Sequence, residues 1–380
     1  MNEERPSELK GWIAGRRKSL AVYGALAIAV LLLTVVIPAL GVFDSADVSS
    51  LPDTEKGKVI RVVSETVESG PRGDETRRIL EVRIGDELVT VGQRYTELDA
   101  LVVKPDAGDE VLLRPSPSPD GETYFIVDYV RDFPLLLITL LFCGLVIVIG
   151  RFQGLMSLIG IALSFLVILR FIIPAIISGF DPVLVSVVGA GTVVIASLYI
   201  GHGVNTKTNV ALAGTVGALV LTALLGSVAI EISNFSGLAS EETATVDIVA
   251  EGGLNARGLL LAGMIIGAIG VLDDVTVTQS SAVLELRRAN PSLEARELYA
   301  RGMNVGRDHI VSTVNTLVLV YAGASLPLLM LLSLQTDSVS HLINQEFIAV
   351  EIVRTLVGSI GIVASVPLTT GLAAIVADRR

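Results

Sequence analysis

Hydrophobic and polar positions divide the chain into three regimes. A polar, basic leader containing Lys10, Arg16, Arg17 and Lys18 gives way to an apolar run over about residues 20–42. That run is long enough to cross a bilayer and longer than the apolar core of a cleaved signal peptide, so it reads as a retained transmembrane helix. Residues 44–132 are charged, rich in Val and broken at short intervals by Gly and Pro. From 133 onward the chain turns apolar again, in segments at about 133–150, 155–178, 183–201, 209–230, 258–278, 310–333 and 355–376. The pattern predicts an α-helical polytopic membrane protein of about eight transmembrane helices. Its expected parts are a cytoplasmic N-terminus with the first helix (1–43), an extracytoplasmic β domain between helices 1 and 2 (44–132), and a seven-helix transmembrane domain (133–380).

Within the inserted region, GKVIRVVSETV, RRILEVRIG, ELVTVG, DEVLLRP and TYFIVDYVRD read as five short strands, several alternating with period two. Turn residues such as Asp120-Gly121 separate them, and Pro115, Pro117 and Pro119 fit a hairpin tip. Strand rhythm and size suit an all-β, OB-like, partly closed barrel; an open sandwich would read the same way.

Basic residues orient the spans. Arg151, Lys207, the group Arg287, Arg288, Arg296, Arg301 and Arg307, and finally Arg379 and Arg380 fall on one side of them. The positive-inside rule makes that side cytoplasmic and exempts a segment as long as the β domain. Three connections have patterns of their own. The stretch from Asn290-Pro291 to Arg307 predicts a short amphipathic helix on the inner surface. The acidic SEETATVDIVAE, with Glu241, Glu242, Asp247 and Glu251, reads as a solvated outer loop, with cation attraction as the alternative. HLINQEFIAVEIVRT predicts an interfacial helix in which Glu351 and Arg354, three apart, pair.

Composition narrows the class. With 51% hydrophobic residues and a mean hydropathy of +0.68, the chain sits among polytopic membrane proteins rather than globular enzymes, with the plasma membrane as its expected location. A net charge of -11 and only 5% aromatics argue against nucleic acid as a partner. The single cysteine, Cys143, and three histidines provide neither a disulfide framework nor a zinc cluster, and no cofactor is expected.

Candidate chemistry gathers in GMIIGAIGVLDDVTVTQSSAVLELRR, an apolar, glycine-spaced half-helix followed by Asp273, Asp274, Thr276, Thr278, Gln279, Ser280 and Ser281. Carboxylates inside a span cost several kcal/mol when lipid-facing, so they are expected to turn toward protein or water. At a rise of about 1.5 Å per residue from Gly258, both aspartates lie in the inner half of a ~30 Å core. Asn315, with Thr313 and Thr316 beside it, reaches a similar depth on the next span, so an oxygen-rich pocket between the two helices is expected. Asp274, Thr278 and Ser281 share a stripe with Gly263, Gly267 and Gly270, which favours Asp274 over Asp273. The glycines allow either close packing or a local break. Such an all-oxygen site suits a hard cation, with Asp274 and Asn315 as ligands if a metal binds, while a proton relay needs the carboxylate alone. Intramembrane proteolysis is disfavoured, because neighbouring positions on one helix diverge where a shared-proton dyad must converge. Arg170 is the other charge within a span, set to snorkel outward, to pair with Glu231 or Glu351, or to meet an anionic substrate group. His202 and His309 fall at inner ends of spans and read as interface residues.

The block from GMIIGAIGVLDDVTVTQSSAVLEL through NPSLEARELYARGMNVGRDHI to STVNTLVLVYAGASLPLLMLL resembles the YibE/F-like family of multi-pass membrane proteins. The likeness is strongest over residues 258–332 and includes the Asp274 position, Gly302-Met303, Gly306-Arg307-Asp308, Asn315-Thr316 and Leu326-Pro327. It implies membrane proteins described as permeases. Asp273 departs from the pattern, which has one acidic residue here.

Two functions follow as expectations. One is a transporter or permease that moves a small solute or ion, resting on the matched polar groups, on Pro174, Pro327 and Pro367 as helix breaks, and on Gly-rich spans able to rock. The other is a non-transporting scaffold or accessory subunit whose β domain binds a protein or envelope partner, with a homodimer through glycine seams as one arrangement. Neither is an enzyme.

Overall fold

The structure is a computed structural model that describes residues 21–41, 54–70, 73–96, 99, 102–118, 121–249, 253–334 and 339–379. The basic leader, Pro119, Asp120 and Glu251 lie outside them. Contacts divide the chain into two units, Asp47–Leu145 and Met1–Ala46 with Val146–Arg380.

The first unit holds one antiparallel sheet of β1 (Glu55–Gly70), β2 (Gly73–Ile84), β3 (Glu87–Thr96), β4 (Glu110–Ser118) and β5 (Gly121–Tyr129), in the order β3-β2-β1-β4-β5. All five predicted strands are present. Period-two alternation puts Val59, Leu80, Val82, Val91, Val111 and Leu113 on one buried face. Gly57 lies against that face, where a Cβ would stand 2.6 Å from both Leu113 and Val82. Irregular register at Val59/Arg61 and Val62/Ser64 bends β1, the central and longest strand. Pro115 and Pro117 lie within β4, opposite Tyr124 and Glu122, instead of at a tip. β1 pairs with β4 only over Glu110 to Leu113, so beyond that point one side of β4 is a free edge, where a missing N–H breaks no ladder bond.

The second unit is helical. Its helices are α1 (Ala21–Ala39), α2 (Asp132–Ile177, whose first residues belong to the other unit), α3 (Pro182–His202), α4 (Thr206–Ile232), α5 (Glu241–Val249), α6 (Ala256–Ala289), α7 (Ala295–Ala324), α8 (Leu326–Leu334), α9 (Val339–Ile343) and α10 (Glu346–Asp378). Among the described residues six helices are long and apolar enough to cross a membrane, or seven if α7 and α8, bent by 70° at Ser325, form one span. Two π-turns interrupt α1 at Leu32–Val36 and α2 at Ile168–Ile172, just before Pro38 and Pro174. Each proline lacks the N–H that an unbroken ladder would use.

Helix α2 is broken at Arg151 (φ 50°, ψ -130°). A Cβ on Gly154 would stand 2.2 Å from the Val146 carbonyl oxygen. Residues eight apart in a straight helix are ~12 Å apart, so the chain doubles back here, and only glycine fits the approach.

Several connections are more regular than their pattern predicts. SEETATVDIVAE is not a loop: Glu241–Val249 is helical, started by the Ser240 hydroxyl accepting from Thr243 N–H at 3.2 Å. The inner-surface helix is not separate either, because α7 runs unbroken from Ala295 to Ala324. Its Gly302 and Gly306 lie against Val283 and Val366, which fixes the segment to the bundle. Likewise α10 is continuous from Glu346, and Arg354 Nη1 donates to Glu351 Oε1 at 2.9 Å as its spacing predicts.

The core is the mutual packing of α4, α6 and α10, with α3 against α6 and α7 against α10. Two reciprocal fits set its register. A Cβ on Gly214 of α4 would stand 2.1 Å from Thr369 Oγ1 of α10, and one on Gly361 of α10 would stand 2.1 Å from Thr222 Oγ1 of α4. The glycines and threonines run in opposite order along the two helices, so α4 and α10 are antiparallel.

Candidate functional site

The polar half of α6 sits at the middle of this core, and its side chains go to different neighbours. Successive residues on a helix turn by about 100°, so Asp273, Thr276 and Gln279 leave α6 in three directions. Thr276 meets α4, with its hydroxyl 2.7 Å from Thr215 Oγ1 and both groups fully buried. Gln279 Nε2 donates to the Gly302 carbonyl of α7 at 2.8 Å and to Thr370 Oγ1 of α10 at 2.7 Å. Ser280 Oγ donates to the Lys207 carbonyl at the start of α4 at 2.9 Å. One face of α4 carries Thr208, Thr215 and Thr222, all fully buried. That regular spacing of threonines in an apolar helix was the signal for the α4 side of the site, and sequence reasoning missed it. It also missed Ser197, Thr369 and Thr370.

Asp273 faces α3, where Ser197 is the polar side chain that addresses its carboxylate. Its Oδ1 has no exposed surface and no hydrogen-bond partner among the described residues. Gln279 Oε1, Thr208 Oγ1 and Thr369 Oγ1 are buried and unpartnered in the same way. Each lacks a hydrogen-bond partner in the α4–α6–α10 core. An unpaired carboxylate oxygen is the costliest of these, since ionised groups are the most expensive to bury alone.

Asp274 takes a different position. It is exposed, as are Thr278, Gly263, Gly267 and Gly270, so the predicted stripe exists but lies on the open side of α6. The His202 side chain at the end of α3 is close enough to feel the charges of Asp274 and Lys207. Asn315 and Thr316 are exposed on α7. Asn315 is turned about 160° from the α7 face that carries Gly302, Gly306 and Leu317 into the bundle, so the depth match with Asp274 does not become a shared pocket. Arg170 is exposed within the α2 π-turn. Of the predicted group, Asp273, Thr276 and Gln279 are drawn into the core, and Asp274, Thr278, Asn315, Thr316 and Arg170 are not. Among the described residues no group of three or more His, Cys, Asp or Glu side chains could hold a metal ion.

A family model described as YibE/F-like protein matches residues 138–379. The chain belongs to the YibE/F-like family. The family match covers α2 from near its start through α10, including every polar group of the α6 seam, and leaves out the β sheet. No curated protein matches the chain. No solved structure matches it either.

Proposed function

We propose that this YibE/F-like protein is a membrane transporter or permease that moves a small solute or ion, with Asp273 as its charged intramembrane group. The observation that carries the reading is the buried, unpartnered Asp273 Oδ1 between α6 and α3. A carboxylate in that setting settles by taking a proton or a small cation, and the Ser197 hydroxyl adds an oxygen of the kind a hard cation prefers. This shifts the weight from Asp274 to its neighbour. Eight spans follow if α2 is two crossings joined at Arg151 and α7–α8 is one bent crossing. The sheet order, together with the close approach of β3 to β5, supports an OB-like closure of the β unit.

The test is flux in proteoliposomes, with a trapped pH dye reporting proton movement as a panel of solutes is applied. Asp273→Asn is expected to reduce solute-dependent flux at least tenfold, and Asp274→Asn to leave most of it. Equal flux in wild type and Asp273→Asn would sink the assignment.

The scaffold reading has one specific observation in its favour. The exposed stripe of Gly263, Gly267, Gly270, Asp274 and Thr278 would be covered well by a helix of a second copy or an accessory subunit. Cysteine substitution at Gly267 with oxidative cross-linking in the membrane checks this: a dimer band supports it, and a monomer alone counts against a homodimer.

A further inference from the structure

Helix α7 packs on α6 and α10 through the face that carries Leu298, Gly302, Gly306 and Leu317. Its opposite face is patterned too. Asn304, Asp308, Val311, Asn315, Val318 and Ala322 recur at intervals of four and three, the seven-residue repeat of a helix that runs along a second helix. The first five of them are exposed, Val311 to 71%, so no described residue supplies that second helix.

The polar member at the middle of this seam decides what must cover it. Asn315 lies in the apolar half of α7, and its amide makes no hydrogen bond among the described residues, whereas the Thr316 hydroxyl beside it donates to the Ser312 carbonyl at 2.9 Å. An amide left without a partner in hydrocarbon is costly, so the face calls for protein rather than lipid. Symmetry then says which protein. Two copies inserted the same way in one membrane set α7 beside α7 in parallel, about a two-fold axis along the membrane normal, so each seam position meets its counterpart. An amide is donor and acceptor at once and can pair with its own copy, and Val311 and Val318 supply apolar layers on either side of it. At the N-terminal end Asp308 would face like charge, but Arg307, one residue earlier, flanks the same layer beside the partner's Asp308. One Arg307 N–H group donates to Asn304 Oδ1 at 2.8 Å, which leaves others for that carboxylate. The seam is therefore complementary to itself, in hydrogen bonding and in charge.

We propose that the outer face of α7 is a dimer interface, on which a second copy of this chain docks in parallel along the seam from Asn304 to Ala322. An Asn315–Asn315 hydrogen bond closes its middle, and two Arg307–Asp308 ion pairs close its N-terminal end. The interface uses a different helix from the glycine stripe of α6, so the two arrangements give different cross-links. It rests on α7 crossing the membrane and goes beyond the transport reading, because assembly needs no flux.

Disulfide cross-linking of the full chain in membranes tests it, with the single cysteine removed as Cys143→Ser. Val311→Cys and Val318→Cys are expected to give a dimer band. Val320→Cys, exposed but about 140° from Asn315 around α7, is expected to give none. Sedimentation equilibrium in detergent then reads the dimer constant. Asn315→Val is expected to weaken association about tenfold, the effect of one lost interhelical amide bond, whereas an Asn315 that faced lipid would leave it unchanged. Asp308→Arg is expected to weaken association and R307D/D308R to restore it. Both charges are exposed, and an unchanged melting temperature verifies the fold. Monomer alone at Val311 and Val318, equal cross-linking at Val320, a cross-link confined to Gly267→Cys, or an unaltered constant in Asn315→Val overturns the proposal. A charge swap no better than Asp308→Arg does the same. Asp273→Asn separates this from the transport reading, because it is expected to dimerise as wild type does while failing in flux.

Discussion

Two adjacent aspartates meet different surroundings because one residue along a helix is about 100° around it. Asp273 turns to α3 and Ser197, and Asp274 to the open side. Sequence spacing identified the stripe through Gly263, Gly267, Gly270, Asp274 and Thr278 correctly, but it could not say which side of α6 the bundle would cover. That depends on where α3, α4 and α10 pack, and a single helix pattern does not carry it. The hydroxyl pair between Thr215 and Thr276 is testable at this scale. Thr215→Val and Thr276→Val in a double-mutant cycle are expected to show a coupling of about 0.6 kcal/mol, the average for interhelical polar pairs in membranes. Reversible unfolding in mixed micelles measures it, and strictly additive losses would show that the bond contributes nothing.

Helices α4 and α10 are seated on each other by the reciprocal fits of Gly214 against Thr369 and Gly361 against Thr222. Gly214→Ala is expected to destabilise the bundle by about 1–3 kcal/mol, as overpacking does. Thr369→Ala in the same chain is expected to recover part of that loss, read as a melting temperature in detergent. The apolar runs announced these helices, yet the extra length of α7 and α10 was not legible. Their first turns are charged and look like surface pieces, and only tertiary packing of Gly302, Gly306 and Val350 holds them in line with the apolar parts. The bend at Ser325 was half legible, through Pro327. At the α2 break, Arg151 holds a backbone conformation that glycine adopts freely. Arg151→Gly is expected to be neutral or stabilising by up to about 2 kcal/mol, whereas Gly154→Leu is expected to disrupt the turn. Thermal unfolding of the two variants against wild type decides it.

Across the whole molecule, the two units answer to different chemistry. The helical unit is held by apolar packing and small buried hydroxyls, while the sheet carries exposed ion pairs. Arg61 meets Glu81 with two bonds of 2.8 Å, and these hold the Glu81 carboxyl below its usual range. Asp128 is held low in the same way by Arg131 and by the Tyr129 N–H. A carboxyl lowered by folding stabilises the folded state above its unfolded pKa, and the gain fades as the pH falls through the lower folded value. Amide exchange in β1, β2 and β5 is therefore expected to accelerate, relative to intrinsic rates, below about pH 4. Glu81→Gln is expected to flatten that dependence in β1 and β2. The sheet was the most legible part of the chain, because strand alternation and turn residues are local signals. Its strand order was not, since β1 pairing with β4 depends on partners some fifty residues apart.

The reversal at Arg151 also bears on how such a chain is synthesised. With Gly154 against the Val146 carbonyl, the turn over residues 146–154 closes through contacts that are local in sequence. A turn of this kind needs no distant partner, so it can form as soon as its own residues have left the ribosome. If α2 is two crossings, as proposed above, an arginine at the tip, charged and costly to carry across a bilayer, would hold the turn on the side of synthesis.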